Sequence, residues 1–323
     1  MSTRQEEATW TTLETFDVEV SSPSNRLYRN GRQQVEVTVK LRARNEDGRI
    51  VPLSEEQKRS VRLIDYNSGE VLPDIPASGT VATGWGTTSV RNEYEFFPGA
   101  RDGMPGQIGP AEGYTFVVRY VQTVDAAPKR IGAQVRRDAQ TVFKTNADNV
   151  QKSIEAVPER LPSFDERATS VEHGWESQRV VGDENDWDLR TVDYYFCGLS
   201  INGNRVKLRE FTVRPASMFQ WESTNPASEI FSFTGFGTPG SSMAQYNVPA
   251  AFSDRRHNPI SMPSDGRGIV VLIRSNGIAQ SSAGNVHKGA CDVDARDEFG
   301  TDHPLRVSFK SSSNRNELVL TRR

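Results

Sequence analysis

Four aspartates, Asp292, Asp294, Asp297 and Asp302, crowd around Gly300, with Glu298 among them. Alternate carboxylates in a loop can converge on a hard cation, so Ca²⁺ is the one metal or cofactor these residues suggest. The EF-hand spacing is not met. Arg296 stands where an oxygen ligand is wanted, and Asp297 where the turn glycine belongs. A second acidic group, Asp183, Glu184, Asp186 and Asp188, flanks Trp187. The plain alternative for both groups is a solvated loop. Three tryptophans are candidates for ligand contact: Trp85 between Gly84 and Gly86, Trp175 after Gly174, and Trp187. An exposed aromatic on a glycine-flanked loop favours sugar or protein contacts, whereas a ring folded back over the core does nothing of the kind.

Catalytic patterns are weaker. Gly235-Phe236-Gly237-Thr238-Pro239-Gly240 matches GxGxxG after a predicted strand. The crossover helix a dinucleotide site needs has no room before the prolines, which favours a surface β-loop. His173, His257, His287 and His303 show no HExxH or HxH spacing, so zinc hydrolysis lacks support. A triad from His257 or His303 with a serine and an aspartate would have to assemble in space, because no GxSxG elbow occurs. Cys197 and Cys291 lie far apart and outside any CxxC pair, which favours buried free thiols, with a disulfide as the lesser alternative.

Composition bounds the rest. The 323 residues allow two domains, and a hydrophobic fraction of 35% suits modest β units with much loop. A net charge of −3 creates no whole-molecule field toward nucleic acid or an anionic membrane, and the basic pairs Arg136-Arg137 and Arg255-Arg256 are short. No window nears the roughly 18 apolar residues of a membrane helix, and the first ten residues have no signal-peptide h-region. The expectation is a chain made in the cytoplasm, then released or particle-associated.

The elements that must position these residues are strands. Val35, Val37, Val39, Leu41 and Ala43 alternate with Glu36, Thr38, Lys40 and Arg42, the period of a half-buried strand. Asn30-Gly31 and Asp47-Gly48 mark turns on either side. Ser54 and Gln57 have capping-box spacing, which predicts one short helix. Tyr114, Phe116, Val118 and Tyr120 alternate and are expected to face the core. Val150, Ile154 and Val157 share a helical face between prolines, so 126–169 reads as a linker with a short helix. Beyond it, Ile201-Asn202-Gly203 leads into Val206 as a hairpin with a type I′ turn, and Ile269–Ile273 is continuously apolar, as in a strand buried on both faces. The predicted order is a mobile arm (1–15), a β-sandwich (16–125), the linker, and a β-rich C-terminal domain (170–323).

The run from Asn25 to Val37, with the long strand it opens, resembles bacterial immunoglobulin-like modules. The resemblance covers at most residues 16–125 and rests on strand rhythm. No cysteine lies there, so the disulfide of antibody domains is absent. It implies an immunoglobulin-like sandwich used as a spacer, adhesive unit or particle decoration. The chain is therefore expected to be mainly β and non-enzymatic. Its partners are expected to be proteins or cell-surface carbohydrate, as part of a phage-like particle or as a homo-oligomer. A toxin acting on membranes or carbohydrates is the second expectation, with the polar segment Gly79–Val90 as its candidate hairpin, and a hydrolase whose site forms only in the fold is the third.

Overall fold

The computed structural model describes residues 10–98, 112–161, 175–181, 191–201, 204–222, 229–258, 266–311 and 316–323. The chain is mainly β and divides into two units, Met1–Leu161 and Pro162–Arg323.

The first unit contains β1 (Thr12–Val20), β2 (Arg26–Tyr28), β3 (Val35–Arg44), β4 (Ile50–Val51), α1 (Glu55–Ser60), β5 (Arg62–Asp65), β6 (Trp85–Thr88), β7 (Thr115–Thr123), β8 (Lys129–Arg136), β9 (Val142–Lys144) and β10 (Ile154–Glu159). One sheet runs β1-β3-β7-β6 with β4 paired to β3, and the other runs β2-β10-β8-β5 with β9 paired to β8. Their inner faces close over one core. Val35, Val37, Val39 and Leu41 come from the first sheet, and Leu27, Leu63, Ile131 and Ala133 from the second. The alternation of β3 is therefore realised as read. So is the helix start: Ser54 and Gln57 cap each other reciprocally. The turn before β3 requires its glycine. Gly31 has φ +71°, and a Cβ there would drive into the Val81 carbonyl.

Two boundaries move. Residues 12–15, expected in a mobile arm, open β1, and Trp10 is buried beside Phe143 with ring centroids 5.0 Å apart. The expected linker and its helix are replaced by β8, β9 and β10, all within the first unit. The spacing of Ile154 and Val157 suggested a helix, but pairing to β8 and β2 holds these residues extended.

β7 is the instructive exception. Its register against β3 sets Val35, Val37, Val39 and Leu41 opposite Val121, Arg119, Val117 and Thr115. Directly opposed residues share a face, and β3 points its valines inward. Arg119 is therefore turned into the sandwich, while Tyr114, Phe116, Val118 and Tyr120 are turned out, the reverse of the expected facing. Val118 is 39% exposed and Arg119 only 7%.

The second unit contains β11 (Trp175–Val181), β12 (Thr191–Cys197), β13 (Leu199–Ile201), β14 (Asn204–Val206), β15 (Leu208–Arg214), β16 (Phe219–Trp221), β17 (Phe231–Gly237), β18 (Gly268–Ser275), β19 (Cys291–Asp297), β20 (Asp302–Phe309) and β21 (Leu318–Arg322). Its main sheet is β11-β12-β18-β17-β16, its second β15-β19-β20-β21, and β13 and β14 form a hairpin. The register Ile201↔Asn204 fits the predicted two-residue connection, whose residues 202–203 lie outside those described. One face of the main sheet packs Tyr195, Cys197, Val270 and Leu272 against Phe211, Val293, Leu305 and Val307 of the second sheet. Its other face packs Phe219, Phe231, Phe233, Ile269, Val271 and Ile273 beneath Phe252 of a 3-10 turn, Ala250–Arg255. That double covering is why Ile269–Ile273 is apolar at every position.

Candidate functional site

The predicted calcium loop is a strand pair. Asp292 and Asp294 lie on β19, where they alternate with Cys291, Val293 and Ala295, which are buried. Arg306 of β20 and Arg323, just past β21, hold them. Arg306 Nη2 lies 3.0 Å from Asp292 Oδ1, Arg323 Nη1 3.2 Å from Asp292 Oδ2, and Arg323 Nη2 3.1 Å from Asp294 Oδ1. The Arg306 hydrogen bond keeps the Asp292 carboxyl below its usual range. Asp302 pairs with Arg296 at 2.7 Å, and Arg296 also reaches Glu210 at 2.7 Å. Among the described residues no three His, Cys, Asp or Glu side chains come together to hold a metal. The cluster instead belongs to a surface lattice of ion pairs, each worth little by itself.

Asp297 is set apart by its parity. It falls on the buried side of β19 and is 0% exposed. Its Oδ1 accepts hydrogen bonds from the Phe299 and Thr301 amides, both at 2.9 Å, and its Oδ2 lies 3.0 Å from Nε2 of buried His303. A histidine has met an acid, as the hydrolase reading required. Yet both oxygens are committed to building the β19–β20 turn, and His303 makes no hydrogen bond to a serine, threonine or cysteine among the described residues. This pair is a structural clasp.

The tryptophans divide three ways. Trp85 is 5% exposed and sits in the first core, because its partner Thr123 is on the inward parity of β7; the exposed-loop expectation is corrected. Trp175 begins β11 opposite Cys197. Trp187 lies outside the described residues. The GxGxxG glycines begin inside β17, not in a surface loop, and a side chain at Gly235 would overlap the Tyr246 ring. The proposed hairpin Gly79–Val90 is tied into the sheet through β6.

Both cysteines are buried and unbonded. Burial pushes each thiol up to about 12, with the Asp292 charge adding to the effect at Cys291. A thiol held protonated reacts poorly. The native chain is expected to leave both unmodified by a thiol-specific disulfide reagent at pH 8, and the guanidinium-unfolded chain to titrate two. Rapid native modification would contradict the packing.

What sequence reading did not reach is a groove in the first unit, of about 640 Å³, where α1 and β5 face the ends of β6 and β7. Lys58, Arg59, Arg62 and Arg119 line it with a single carboxylate, Asp74. Lys58 is engaged by Glu55 at 2.7 Å. Arg59, Arg62 and Arg119 have no ion-pair partner among the described residues. Arg119 Nη2 donates to the Val61 carbonyl at 2.6 Å, while its buried Nε has no hydrogen-bond partner among the described residues. Burial draws this guanidinium below its ordinary range; Arg62 adds to the effect, and Asp74 opposes it. Phe116 and Val118, on the outward parity of β7, form an apolar wall. The available signal was the lone arginine within a valine- and aromatic-rich strand.

No family model matches this chain, and no curated protein does. Among solved structures, the chain is similar to the Yersinia pseudotuberculosis adhesin InvE at 8% identity and a TM-score of 0.20. That match covers 90% of this chain and 57% of the adhesin, so this chain spans little more than half its length. Among the described residues no helix is long and apolar enough to cross a membrane.

Proposed function

We propose that the chain is a non-enzymatic interaction protein, its first unit an immunoglobulin-like sandwich that recognises a surface ligand or a protein partner in a particle-associated assembly. The observation that carries this reading is the facing of β7. A strand that turns Phe116 and Val118 to solvent and takes Arg119 inward gives up core stability for a patterned surface. Lys40 Nζ and the Arg42 guanidinium stand 4.7 and 5.0 Å from the Tyr114 ring centroid, so the same face mixes aromatic area with positive charge. Aromatic area with arginine is the composition of recognition surfaces.

The test combines size-exclusion chromatography with light scattering and a glycan array, for the full chain and for Phe116→Ser/Val118→Ser. The native chain is expected to form a defined oligomer or to bind glycans. The double variant should lose that behaviour at least tenfold with its melting temperature unchanged. A monomer without array signal, or a variant that behaves as the parent, overturns the reading.

A further inference from the structure

The groove between α1 and β7 has the features of a built site. Arg119 and Thr87, 7% and 1% exposed, both line it. Each carries a buried polar atom, Nε and Oγ1, with no hydrogen-bond partner among the described residues. Buried polar atoms are nearly always satisfied, because a hydrogen bond left unmade at such a site forfeits the bonding the group had to water. Two on one wall mark a place where a ligand completes the bonding. Three guanidinium groups without ion-pair partners face one carboxylate there, so the missing partner is an anion.

The walls narrow the anion further. Thr87, Thr88 and Ser89 line the groove where β6 ends, and Phe116 and Val118 line it along β7. Hydroxyls, an aromatic wall and a guanidinium together match a sugar ring that bears an acid. A peptide is the competing class, since β6 pairs with β7 only over Tyr120–Thr123 and the edge of β7 over residues 115–119 has no second strand among the described residues. The three guanidinium groups and the hydroxyl-bearing residues that line the groove favour the acidic sugar, and an acidic peptide is the outcome the test must separate from it. We infer that this groove binds an acidic saccharide, with Arg119 and Arg62 on its carboxylate or sulfate and the hydroxyls of Thr87 to Ser89 on the ring. The inference rests on the interaction reading above and names its ligand class.

Isothermal titration calorimetry on the full chain tests it with four probes: trigalacturonate, its methyl ester, a sulfated disaccharide and hexaglutamate. One or both acidic sugars are expected to bind, more weakly as salt rises. The ester should bind at least tenfold more weakly than trigalacturonate if the carboxylate is the recognised group, since esterification removes the charge that strengthens its hydrogen bonds to a guanidinium. Arg62→Gln, on the groove rim, should weaken acidic-sugar binding about tenfold or more. Arg119→Gln should do the same if it folds, while Arg306→Gln in the second unit should change nothing. Ester binding equal to that of the acid, an unchanged Arg62→Gln, or preference for hexaglutamate overturns the assignment. If acidic sugars fail while Phe116-dependent oligomers or neutral-glycan binding persist, the groove assignment falls and the interaction reading stands. A chain that binds nothing and stays monomeric removes both.

Discussion

Phe231→Ala is expected to lower the stability of the second unit by about 3–5 kcal/mol, the range for truncating a buried phenylalanine. Phe231 is 0% exposed and central to an aromatic cluster. Its ring lies 5.5 Å from Phe219, 5.3 Å from Trp221 and 5.0 Å from Phe252, the last two edge to face. Neither strand partner can move in to fill the space, because Ser275 fixes Phe231 in register on β18 and Trp221 opposes it on β16. Guanidinium unfolding of the full chain should show one transition displaced and the transition of the first unit unmoved. A loss below about 1.5 kcal/mol, the size of a tolerated core swap, would mean that this layer is loosely packed.

The second large effect is at Asp297. Replacement by alanine strips the Phe299 and Thr301 amides and the His303 ring of their acceptor in a site with no exposed area. Removing one member of a buried, hydrogen-bonded pair typically costs about 3–5 kcal/mol. Asp297→Asn retains a carbonyl for the turn amides and is expected to recover roughly half of that loss. The same unfolding measurement decides the point. Equal effects of the two substitutions would show that the charge matters and the turn geometry does not; no effect of either would remove the clasp altogether.

How far these features could be read in the residues depends on whether their causes are local. The β3 alternation, the Ser54–Gln57 cap and the run at Ile269–Ile273 are local, and each is found as read. The inward facing of Asp297 and His303 was also within reach, since both continue the buried parity of their strands after Ala295 and before Leu305. The facing of β7 was not. Hydrophobicity favours Tyr114, Phe116, Val118 and Tyr120 inside, but the register with β3 overrides it. A proline ordinarily ends an element, yet Pro158 sits in β10 opposite Leu27 of a parallel pair, where a missing amide is tolerated. The groove was furthest from view. Arg59 and Arg62 lie more than fifty positions before Arg119, and only the packing of α1 and β5 beside β7 makes them one constellation.

The strand that ends the first unit has a mechanical consequence. The two halves of β10 are held by different neighbours, Ile154–Ala156 by β8 and Val157–Glu159 by β2. The pairing with β2 is parallel and is reinforced by Arg26 on Glu159 at 2.7 Å. Tension applied at Leu161 therefore runs along the strand and loads those hydrogen bonds in shear, several at once, before it reaches the ladder with β8. A module whose exit strand is clamped this way resists stretching far better than one whose last strand can be peeled bond by bond.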